Sequence, residues 1–225
     1  MKVIILLLLP TFSLLAQERG KIELVRYVIG KDSLQPPIKM GVNIWYCGKR
    51  SIQEVPQFHF ETGVGGTKNR EPKKCYLLID RLHNEYSYFA NFSDTASLIK
   101  SFTGSNPIKE HGGWDLYSNN EFPYDSQRKI TDTIMDGVSY SRWRFSKLNE
   151  GTETQYILFA DCKKKNGEVI YMRPFSKKFG CPVSRMEIFS EGRLKAVSEF
   201  KLISDVLTAD ELKVFRAWGK RSIKH

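Results

Sequence analysis

The sequence predicts a mainly β (α+β) fold in which a curved antiparallel meander sheet, or half-barrel, is covered by one or two short helices. Three observations lead there. Asp136-Gly137 and Asn166-Gly167 are dipeptides that favour the left-handed backbone of two-residue hairpin turns, and Glu191-Gly192 supplies a third joint of the same kind. The runs these joints separate, residues 128–134, 138–146, 155–162, 168–173, 184–189 and 193–203, carry no helical period, so six strands in chain order form a meander and not βαβ units. Near the end, Thr208 and Glu211 have capping-box spacing, and Leu212, Phe215 and Trp218 then lie along one side of a short helix, with Gly219 beyond it.

The first residues read as a leader. Lys2 is followed by an almost wholly apolar run, and Ala16 offers a cleavage point before Gln17. Pro10 interrupts the run, which is shorter than the ~20 apolar residues a spanning helix needs. The expected organisation is a signal peptide over 1–16 and a single β-rich domain over 17–225, placed in the periplasm or secreted. No cysteine stands at the cleavage point to carry a lipid, since the earliest is Cys47.

The strands follow in order. Residues 21–29 read as a strand covered on both sides, because Val25, Tyr27 and Ile29 make its second side apolar as well. A loop containing Pro36-Pro37 leads to residues 38–47, where Ile38, Met40, Val42, Ile44 and Tyr46 alternate with other residues and face a core. A short strand at 57–62 precedes a flexible loop over 63–69 that lacks the spacing of a phosphate-binding loop. Residues 75–80 and 85–92 form a hairpin around 81–84, and Ser93 caps a short helix over 93–102. Residues 104–124 are the longest irregular segment. In the meander, the apolar run Tyr156 to Ala160 predicts a central strand covered on both faces, whereas 193–203 alternates and turns one face to water. The shift from Val138 and Tyr140 to Trp143 and Phe145 predicts a bulge.

Four cysteines in an exported chain read as disulfides, and of three connectivities the hairpins favour Cys47 with Cys75 and Cys162 with Cys181. No spacing suits a metal, and no cofactor is expected. The net charge of +10 would suit polyanions or an acidic membrane surface. Its lysines, however, collect at turns such as Lys163-Lys164-Lys165, where solvation accounts for them, and no nucleic-acid reader motif is present. His111-Gly112-Gly113-Trp114-Asp115 is the one loop that suggests acid-base chemistry, but no nucleophile or second carboxylate accompanies it, so no enzyme is expected. His59, His83 and His225 read as isolated surface or structural residues.

Leu-Leu-Ala-Gln at the end of the leader, Gly20-Lys21-Ile22 opening the first strand, and residues 129–138 resemble the exported GLPGLI family of Bacteroidetes. Residues 185–194 with Glu199-Phe200 are similar to the terminal hairpin of outer-membrane lipoprotein-sorting proteins. The Gly-Leu-Pro-Gly-Leu-Ile motif itself is absent, and its expected region reads Arg173-Pro174-Phe175-Ser176-Lys177. The second resemblance implies a half-barrel around helices that holds acyl chains. Excess apolar and aromatic residues give the same expectation independently: an apolar ligand or a partner's lipid on the concave face, lined by Trp45, Trp143, Phe159 and Tyr171. The alternative is an envelope interaction module that binds a protein through its basic surface or a sheet edge.

Overall fold

A computed structural model describes residues 19–30, 37–57, 60–63, 66–69, 73–104, 126–149, 151–163, 175–176 and 179–222. The leader, Tyr171, the 168–173 strand with its Asn166-Gly167 turn, and the His111–Asp115 loop lie outside them. The described strands are β1 (Arg19–Val28), β2 (Ile38–Cys47), β3 (Arg50–Gln57), β4 (Phe60–Gly63), β5 (Gly66–Asn69), β6 (Lys73–Asp80), β7 (Glu85–Phe89), β8 (Leu98–Thr103), β9 (Ser126–Met135), β10 (Val138–Asn149), β11 (Thr152–Ala160), β12 (Val183–Ser190) and β13 (Arg193–Ser204). One helix, α1 (Ala209–Ser222), follows.

Eleven of the strands form one curved, unclosed antiparallel sheet in the order β8-β7-β6-β3-β2-β1-β13-β12-β11-β10-β9. Two meanders, β1 to β8 and β9 to β13, are therefore sewn together where β1 pairs with β13. The predicted turns make the hairpins: Asp136 and Gly137 have φ of 49° and 76°, and Glu191 and Gly192 have 53° and 69°, the left-handed pairs that match strand twist. Asn84 closes the 81–84 turn at φ 52°.

Several expectations are corrected. β12 pairs directly with β11. The 63–69 segment contains β5, which pairs with β4 in a small separate ladder. The 93–102 helix is absent: the Ser93 hydroxyl accepts the Thr95 amide in a local turn at 3.2 Å, and Leu98 onwards pairs with β7 as β8. The run over β11 is buried at Leu158, Phe159 and Ala160, but the middle strand of the order is β1. The bulge does fall between Tyr140 and Arg142, with the extra residue supplied by β9.

Directly opposed residues share a face, so the register carries each face across the sheet. On the helix face, Trp45, Ile52, Leu78 and Phe89 pack beneath Val214, Phe215 and Trp218. On the far face one apolar cluster gathers Ile22, Leu24, Ile44, Leu158, Val183 and Phe200, with Phe175 and Cys181 from the segment that leads into β12. A second gathers Cys75, Leu77, Ile79, Tyr86 and Tyr88.

Candidate functional site: the far face of the sheet

The part of the helix face beneath α1 is chemically closed. Thr208 and Glu211 form the predicted capping box, Thr208 N donating to Glu211 Oε2 at 2.8 Å and Glu211 N to Thr208 Oγ1 at 3.2 Å. The other Glu211 oxygen accepts the Trp45 indole N–H at 2.7 Å. Burial pushes the Glu211 carboxyl up, but the Thr208 amide and hydroxyl, the Trp45 indole and the Lys21 charge outweigh it and hold the group below its ordinary value. Trp218 is fully buried, stacks on Phe89 at 4.0 Å and donates to the Ser93 carbonyl at 2.8 Å. It is therefore not available for the membrane contact its position beside Lys220 and Arg221 suggests. Gly219 lies inside α1 and not beyond it, and the Arg50 guanidinium passes 2.7 Å from where a Cβ would stand.

Two groups of charges on this face are paired. The Arg185 guanidinium donates to Glu199 at 2.6 Å and to Glu187 at 2.8 Å, and lies over the Phe159 ring. Fully buried Asp80 accepts from Arg50 Nε at 2.8 Å and the Leu82 amide at 2.9 Å, with His83 Nδ1 at 2.9 Å. Burial raises the Asp80 carboxyl, yet His83, Arg50 and the Leu82 amide lower it further, so the net shift is downward. His83 is thus joined to a carboxylate three residues before it, while the Arg50 partner of the same carboxylate was beyond sequence spacing because Arg50 and Asp80 meet only across the β3–β6 pairing. The arrangement staples the 81–84 turn.

The predicted lining residues divide between the two faces. Trp45 and Phe159 belong to the helix face, Trp45 beneath α1 and Phe159 opposite Arg142 and Arg185. Trp143 is opposite Leu158 on the far face, against Phe175 and Phe179 with the latter's ring centroid at 3.9 Å. Alternation along each strand is legible, but which face two distant strands share depends on every pairing and bulge between them.

The cysteines also separate. Cys162 and Cys181 form the expected disulfide, which suits an oxidising compartment outside the cytoplasm. Cys47 and Cys75 remain thiols, correcting the second pairing. Cys47 is opposite Arg50 and Cys75 opposite Val55, so they lie near opposite ends of β3 and two strands apart, beyond the ~7 Å limit for Cα atoms of a disulfide. They pack on opposite faces. Burial raises the Cys47 thiol despite the charges of Arg19, Arg50 and Arg216.

What remains is a stretch of the far face that sequence reasoning passed over. Along β2, Ile38 is 66% exposed, Met40 and Val42 are half-buried, and Ile44 is fully buried. Ile38 pairs with Val28, which pairs with Ala196, then Ile188 and Tyr156. The next row runs Met40, Arg26, Ser198, Met186, Leu158, Trp143. Val28, Ile188, Tyr156 and Trp143 are only partly buried, so an apolar strip stays incompletely covered. Within it, Arg26 Nε, Ser198 Oγ and Trp143 Nε1 are buried and make no hydrogen bond to a described residue. Arg26 acts on Tyr156, whose phenol burial pushes up while the guanidinium works against that shift. An alternating apolar strand predicts such a strip, but the missing partners of Arg26 could be seen only after β13 and β12 had been placed beside it.

No family model matches the chain, and no curated protein is significantly similar to it.

Proposed function

We propose that the protein is a non-enzymatic binding protein of the cell envelope that holds an apolar ligand on the far face of its sheet. The observation that carries the reading is the half-covered strip of Ile38, Met40, Val28, Ile188, Tyr156 and Trp143 on a sheet whose other face is covered in part by α1 and carries the Arg185 ion pairs. Exposed apolar surface of this kind marks a ligand or partner site. The resemblance of residues 185–194 to lipoprotein-sorting proteins supports an apolar ligand, the apolar leader supports a place outside the cytoplasm, and the disulfide is consistent with that location. Gentle purification followed by solvent extraction and lipid mass spectrometry is the test. Stoichiometric recovery of an apolar compound is the expected result, and protein that stays empty and fails to take up any apolar probe would refute the reading.

A second reading, a module that binds an acidic partner, is favoured by one feature. Arg128 and Arg144 are directly opposed on β9 and β10, both exposed, and neither forms an ion pair with a described residue. Like charges so placed repel, and an anionic partner would relieve them. Arg144→Glu should then weaken capture of an acidic protein partner roughly tenfold or more with the fold unchanged; unaltered capture would exclude this surface.

A further inference from the structure

We infer that the ligand of the far face is an anionic amphiphile with a carboxylate head, held by Arg26. This rests on the proposed apolar-ligand reading and adds the chemistry of the head group.

The inference starts from an asymmetry between two arginines. Arg185, on the helix face, has both its neighbouring carboxylates within 2.8 Å and a ring beneath it. Arg26, two strands away on the far face, forms no ion pair with a described residue, and its buried Nε makes no hydrogen bond to one. A guanidinium stays charged at any ordinary pH. Arg26 is partly buried, and its Nε has left water without gaining a partner, an arrangement an incoming anion would relieve. The nearest acid on its own strand, Glu23, stands three residues away and belongs to the other face by alternation.

The groups around Arg26 specify the anion. Ser198 is its direct cross-strand partner and is fully buried, with a hydroxyl that has no partner among the described residues. Tyr156 brings a phenol from the adjoining row. A planar carboxylate accepts two hydrogen bonds from a guanidinium fork and leaves lone pairs for a hydroxyl. The hydrocarbon side of the ligand then has Met40, Val28, Ile188 and Ile38 to cover. The position of Arg26 is apt, because it lies where β2 passes from the buried Ile44 to the exposed Ile38. Head and tail would meet the boundary between the two zones.

The test uses the whole purified protein with a neutral fluorescent hydrocarbon probe bound to the far face, displaced in parallel by oleate, oleyl alcohol and oleyl phosphate. These share one chain and differ only in the head. Oleate should displace the probe at concentrations about tenfold or more below the alcohol, the worth of one charge-assisted bidentate contact. Arg26→Gln should bring oleate to the level of the alcohol while leaving the alcohol itself unchanged, and Arg26→Lys should keep part of the preference. Equal displacement by oleate and alcohol in the wild-type protein would overturn the inference and leave apolar binding standing. A preference for the phosphate over the carboxylate would overturn the assigned head group. Failure of all three ligands and of the probe would remove the apolar-ligand reading as well. The wild-type comparison decides the matter even if a substitution at Arg26 prevents folding.

Discussion

Glu211 spends its two oxygens on different parts of the molecule, one closing the first turn of α1 and one satisfying Trp45 from the centre of the sheet. Glutamine keeps only one acceptor oxygen, so Glu211→Gln must abandon either the cap or the indole. A loss of about 1 kcal/mol in denaturant unfolding at neutral pH is expected, the usual worth of a cap or a single buried hydrogen bond. The sign of its pH dependence follows from the lowered carboxyl. A group held below its unfolded pKa contributes stability above that value and loses it as pH falls through the folded pKa, so the wild-type advantage should shrink in acid. Asp80 is lowered too and adds to acid sensitivity in the same direction, which the Glu211→Gln protein should retain. Gly20 is a second residue whose identity is fixed by contact. A Cβ there would stand 2.5 Å from the Ser204 carbonyl oxygen and 2.6 Å from the Tyr46 hydroxyl, and the first is backbone that cannot swing away. Gly20→Ala should cost about 1–3 kcal/mol and lower the melting temperature without altering ligand chemistry, as scanning calorimetry would show.

At the scale of elements, hairpins were legible and their assembly was not. Asp136-Gly137 and Glu191-Gly192 dictate local backbone, and a two-residue turn leaves the flanking strands one register to take. The capping box of α1 was equally plain, because every signal lies within four residues. The pairings β1–β13 and β3–β6 leave no such mark, since hydrogen bonds between distant strands depend on no particular side chains. That is why Trp143 and Phe159 were assigned to one surface and lie on two, and why Cys47 was matched with Cys75. β8 shows tertiary pairing overriding a helical pattern: Leu98 and Phe102 suit a helix, but the open edge of β7 captures them. The Cys162–Cys181 bridge joins the end of β11 to the approach to β12 across 19 residues, beside Val183 and Phe175 in the far-face cluster. Closing a loop of this length is worth about 3 kcal/mol on the chain-entropy account. Reduction should lower stability by about that amount and weaken ligand binding with it, measured by urea unfolding with and without dithiothreitol. Unchanged stability would mean the β11–β12 ladder holds this corner unaided.

Over the whole molecule, charge and apolar surface are distributed between faces. The helix face combines the seal under α1 with ion pairs around Arg185, while the far face combines two apolar clusters with Arg26, whose buried Nε has no partner among the described residues. The sheet is open at both ends, at β8 and β9, and the overall charge of +10 helps keep copies apart at those edges. The seam between β1 and β13 has a further consequence for how the molecule is made. β1 is the earliest of the described strands and β13 the latest, yet they are neighbours at the middle of the order. Until the ribosome has delivered β13, one backbone edge of β1 stays vacant, and pairing at such separation forms slowly. The sheet thus stays unfinished until the last of these strands has been made, and the two halves lock only after β13 has emerged.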